Sequence, residues 1–83
     1  MYTSRKRQKM SFLDVHAIEV NMGQMLREND SVRVETADDK VWYGTVNGLC
    51  VFANSVEVTV TNQDGEDIQV DIDCIIENET QGW

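Results

Sequence analysis

Few side chains in this sequence are of the kinds that do covalent or acid-base chemistry. His16 is the sole histidine, and the only two cysteines, Cys50 and Cys74, lie far apart in the chain. General acid-base and nucleophilic catalysis need partners within hydrogen-bond reach. No paired base and nucleophile, glycine-rich phosphate loop or metal constellation is legible. One histidine and two cysteines fall short of a zinc site, and a lone histidine is more often a surface or packing residue. The run "DGEDIQVDID" has the composition of a calcium loop but not its spacing, since Ile68 and Val70 fall where ligands should be; it reads as the solvated face of a hairpin. The expectation is a non-enzymatic chain with no cofactor and no metal. Its cysteines should stay reduced as small hydrophobes, because no export signal follows the basic start.

The remaining chemistry is that of binding. The chain has 83 residues and a net charge of −8, unevenly divided. Residues 1–10 hold Arg5, Lys6, Arg7 and Lys9 and no acid, which leaves 3 basic and 15 acidic side chains in the other 73 residues, a net −12. Such a body repels phosphate while the N-terminal segment attracts it, so any polynucleotide contact must use that segment or a less acidic face. Trp42 and Tyr43 are adjacent. A Tudor-like cage for a methylated cation needs several rings on one face, whereas neighbours on a strand point to opposite faces. Trp83, at the end of the sequence, is expected to fray or to dock on a partner.

The elements that must position these residues follow from periodicity. Between residues 11 and 30, Ser11 with Asp14 forms a weak capping box, and Leu13, Ala17 and Val20, then Ile18, Met22 and Met25, recur at helical spacing. "VHAIEV" also suits an extended segment and Gly23 weakens a helix, but the balance predicts an N-terminal helix. From residue 31 the period becomes two. Val32 and Val34, then Val56, Val58 and Val60, then Ile68, Val70 and Ile72 alternate with polar residues, the pattern of half-buried antiparallel strands. "ADDK" and "NQDGED" read as turns, and a last strand begins near Cys74. Gly44 and Gly48 interrupt the second strand, where glycine marks a bulge, a bend or a close backbone approach. A long strand bent at glycine lets a short meander curl and close. The expected fold is therefore mostly β, a small five-stranded, strongly bent antiparallel barrel preceded by an α-helix. In domain terms, residues 1–10 form a disordered basic tail and 11–83 a single domain. No apolar run approaches the roughly 18 residues a membrane span needs, so a cytoplasmic location is expected.

These residues resemble the Sm/LSm family. Val32, Val34, Gly44 and Val46 fit the strand positions of its first motif, and "CVFAN" supplies Phe52 and Asn54 at the aromatic and Asn positions of the motif's loop. Cys50 stands where the family has Asp. The second motif departs further: "VDIDCIIEN" offers Asp71 or Asp73 for the family's Arg, and Ile72 or Cys74 for its Gly. The likeness spans roughly residues 21–78. It implies that Phe52 stacks on a base and Asn54 bonds the base edge, facing the pore of a homo-oligomeric ring. That chemistry is how unpaired bases are generally read. An acid in place of the guanidinium repels phosphate. Small divergent Sm-like chains are similar to bacteriophage and marine microbial proteins, which would place this one in a host cytoplasm. The resulting expectation is weak binding of single-stranded RNA or DNA by Phe52, Asn54, Arg5, Lys6, Arg7 and Lys9, in nucleic-acid processing. Phe52 beside Val51 also suits a core or subunit interface, and Asn54 also suits a turn. The alternative is an acidic protein-interaction module that holds a basic partner.

Overall fold

The computed structural model describes residues 12–83, and the basic segment Arg5, Lys6, Arg7 and Lys9 lies outside them. Among the described residues eight strands form in chain order: β1 (Phe12–Val15), β2 (Ala17–Asn21), β3 (Gln24–Arg27), β4 (Ser31–Glu35), β5 (Val41–Phe52), β6 (Val56–Thr61), β7 (Asp67–Asp71) and β8 (Ile75–Asn78). A single 3-10 turn, Ile72–Cys74, joins β7 to β8. The main sheet runs β7-β6-β5-β4-β8, with β1 added on β5, while β2 and β3 make a separate hairpin.

β5 organises the sheet because its 12 residues outrun every partner. Its first part, residues 41–45, pairs with β4; its last part, residues 49–52, pairs with β1 on the same edge; and β6 covers residues 45–51 on the other edge. Between β4 and β1 the edge is filled by the chain entering β4, where Val46 N donates to Asp30 O and Asn29 N to Val46 O. A bulge at Val46–Gly48 shifts the register against β6. That extra residue breaks the two-residue period, so Val46 and Leu49 both point inward. At Gly44 a Cβ would lie 2.5 Å from Thr61 O, so only glycine lets β6 approach this closely. Bend and close approach together wrap the sheet around Leu26, Val32, Val34, Val46, Leu49, Val58, Val60 and Ile75.

The sheet is strongly bent, but it is not the closed five-stranded barrel the sequence suggests. Its path ends at β7 on one side and β8 on the other, and these two strands do not pair. The reason is local. The Asp71 side chain accepts a hydrogen bond from Asp73 N at 3.0 Å, capping the 3-10 turn and drawing the chain out of the ladder where closure would have to begin. Without closure, the descriptions barrel, Sm-like, RNA-binding and ring lose the geometry they stood on.

The expected N-terminal α-helix is also absent from the described residues. Residues 17–27 are the β2–β3 hairpin, closed at Met22–Gly23 with Gly23 at φ 79°, a conformation glycine adopts without strain. The alternation Ile18, Val20 packs one face against the core, and Leu26 is fully buried. Burying that face against the sheet outweighs a weak helical periodicity interrupted by glycine. Ser11, the proposed cap, lies outside the described residues.

A buried polar knot ties the ends together. Asn78, 0% exposed, donates to Asp30 Oδ2 at 2.9 Å, and Asp30 also accepts from Arg27 N at 2.8 Å. The last turn folds back so that Trp83 O accepts from Asn78 N and the indole Nε1 donates to Met25 O at 2.8 Å. Trp83 is thus neither frayed nor waiting for a partner; it packs against the core and pins the β2–β3 hairpin.

Candidate interaction surface

Phe52 ends β5 and Asn54 lies in the turn to β6, where Phe52 N donates to Ser55 O at 2.8 Å. Phe52 is half-buried and Asn54 exposed. The segment expected to be a loop is therefore mostly strand: Cys50, Val51 and Phe52 all belong to β5, and only the short turn after them is free of the ladder.

Register brings together what the sequence keeps apart. Asp14 lies opposite Cys50, Cys50 opposite Glu57, and Glu57 opposite Asp71, one transverse row over β1, β5, β6 and β7. Directly opposed side chains have Cβ atoms roughly 4.5–5.5 Å apart, so the row is a ladder of three carboxylates and a thiol on one face. Asp14, Glu57 and Asp71 are exposed. Cys50 Sγ donates to Asp14 Oδ1 at 2.9 Å. That bond, then desolvation, then the charges of Asp14 and Glu57, push the Cys50 thiol above its ordinary range. Among the described residues Arg33 reaches Glu35 and Glu77 at 3.5 and 3.4 Å, Lys40 reaches Asp38 at 3.8 Å, and Arg27 lies on the separate β2–β3 hairpin.

No protein-family model, curated protein or solved structure matches the chain.

The other sequence candidates are dispersed. His16 sits between β1 and β2, exposed, with Nδ1 2.7 Å from Glu28 Oε1. Cys50 and Cys74 are both free thiols, the second in the 3-10 turn and packed against the core. No group of three or more His, Cys, Asp or Glu able to hold a metal occurs among the described residues. Trp42 packs inward against the core while Tyr43 is 64% exposed on the opposite face, so the two rings build no cage. Among the described residues no helix is long and apolar enough to cross a membrane.

A second feature lies at the other end of β5, where a cleft of about 480 Å³ opens beside Val41, Tyr43 and Gly44, with Asn62, Gln63 and Asp64 on its far wall. The turns at this end carry Asp38 and Asp39 on one side and Asp64 and Glu66 on the other. The Thr36 hydroxyl, donating to Asp38, holds that carboxyl below its ordinary range. Sequence reasoning missed both the row and the cleft, because each depends on which strands are neighbours.

Proposed function

We propose that this chain is a non-enzymatic interaction module that holds a basic polypeptide against its acidic sheet surface. The row Asp14–Glu57–Asp71 carries the reading. Like charges directly opposite each other on a sheet destabilise it, and Glu57 faces Asp71 with neither carboxylate ion-paired to a described cation. A cationic segment laid across the row removes that repulsion, so binding is favoured by relief of an unfavourable arrangement as well as by attraction. Phe52 lies two residues from Cys50 on β5 and so shares the face of the row, where these charges oppose phosphate.

The test is a titration of fluorescent lysine-rich peptide and of short single-stranded RNA with the full chain. The peptide should bind and weaken steeply with added salt, as attraction between partly exposed charges does. The combined variant Asp14→Asn, Glu57→Gln, Asp71→Asn should bind it about tenfold more weakly while unfolding at higher urea than the parent. RNA binding lost on Phe52→Ala, with no peptide binding, would instead restore base recognition and remove this proposal.

A further inference from the structure

The cleft beside the first half of β5 is more specific than a charged surface, because its wall is an unpaired strand edge. β6 begins to pair with β5 only at Thr45, opposite Thr61, so among the described residues no strand pairs with Val41–Tyr43 on that side. Two bonds fix the direction of the backbone groups there. Thr36 N donates to Lys40 O, and Val46 N donates to Asp30 O. In the unbroken β4–β5 register these mark residues 40 and 46 as bonded toward β4. Bonding direction alternates along an antiparallel strand. Val41 and Tyr43 therefore aim their N–H and C=O groups into the cleft, where no described residue meets them.

We infer that this cleft is a strand-accepting groove that takes an extended polypeptide segment bearing lysine or arginine. It is the specific site of the module proposed above and rests on that reading. Three observations converge on it. The open edge supplies up to four backbone hydrogen bonds, two each from Val41 and Tyr43, the basis of recognition by strand addition. The side chains of Val41 and Tyr43, 45% and 64% exposed, share one face and offer an apolar strip to alternate residues of an added strand. The cleft, about 480 Å³, is an open groove running beside the strand, a shape that admits an extended chain. Charge then selects the occupant. Asp64 lines the groove, and Asp38, Asp39 and Glu66 lie in the two turns that adjoin it, while the described cation in those turns, Lys40, is paired with Asp38. Lysine or arginine at alternate positions of the segment reaches these acids and the face of Tyr43.

The experiment compares two probes with the full chain: a short peptide of alternating lysine and valine, and the same peptide N-methylated on the residues that would donate to β5. Charge is identical and only the hydrogen-bonding edge is lost. The methylated peptide is expected to bind at least about tenfold more weakly, Tyr43→Ser to weaken the parent peptide several-fold, and hydrogen exchange at the Tyr43 amide to slow when the parent peptide is bound. Equal affinity for both peptides, or protection on β7 instead of at Tyr43, overturns the groove and leaves the acidic module standing. Absence of binding by either peptide overturns both. Light scattering of the chain alone distinguishes a further occupant: a dimer with a protected Tyr43 amide would show that a second copy, not a basic partner, fills the groove.

Discussion

At Cys50 a single contact governs reactivity. The thiolate is the nucleophile, and the Asp14 carboxylate that accepts the S–H bond favours the neutral thiol, with desolvation and the charge of Glu57 acting the same way. The folded state therefore prefers protonated Cys50. That preference stabilises the fold fully below the ordinary thiol pKa and is lost as pH rises through the raised value. Near pH 8.5, where an ordinary thiol is about half ionised, Cys50 should alkylate slowly. Asp14→Asn removes the anionic acceptor and lowers the titration point, so alkylation of Cys50 by iodoacetamide should quicken several-fold. Mass spectrometry reads both thiols at once, and Cys74 reports any general loosening. An unchanged Cys50 rate with intact fold would mean the Asp14 contact does not form in solution.

Among the elements, β5 decides the architecture, and its two interior glycines are not equivalent. A Cβ at Gly44 would sit 2.5 Å from Thr61 O and 2.8 Å from Val60 Cγ1, just where β5–β6 pairing begins, whereas at Gly48 the nearest atom is 3.8 Å away. Overpacking against backbone costs about 1–3 kcal/mol or more. Gly44→Ala should therefore lower the urea midpoint clearly, while Gly48→Ala should change the unfolding free energy by less than about 1 kcal/mol. Equal losses would show that the bulge, rather than the close approach, needs glycine. Both glycines were conspicuous in the sequence, as were β4, β6 and β7, because a solvated sheet face imposes strict alternation on Val32–Val34, Val56–Val60 and Ile68–Val70. The β2–β3 hairpin was not conspicuous: Ile18, Met22 and Met25 recur at helical spacing while Ile18 and Val20 alternate as in a strand, and burial against the sheet settles the matter only once the sheet exists. β1 was hidden for a related reason, since four residues, Phe12–Val15, become a strand by pairing with a partner 36 positions away in the case of Asp14 and Cys50. The candidate surfaces share that dependence. Phe52 and Asn54 could be singled out from adjacent letters, but the row through Asp14, Glu57 and Asp71 and the open edge at Tyr43 are properties of register.

For the whole molecule, the sheet path ends at β7, whose outer edge no described strand pairs, and charge determines what that edge can pair with. The bond from Asn62 N to Glu66 O fixes the β6–β7 alternation, so Asp67, Gln69 and Asp71 direct their backbone groups outward while their side chains remain exposed. An unpaired edge is a template for another copy, yet here each copy would bring two carboxylates against two others on a chain of net charge −8. Repulsion between like edges is weakened by salt and by protonation. Light scattering near neutral pH and low salt should therefore give the mass of one chain. Larger species should grow as the pH falls to about 4, where carboxyls begin to protonate. Gln69→Pro removes an outward N–H at an edge position that tolerates proline, and should hold the acidified chain at the mass of one copy. A stable oligomer already present at neutral pH and low salt, unaffected by that substitution, would show that copies meet through some other surface and that acids on β7 are not what keeps its edge open.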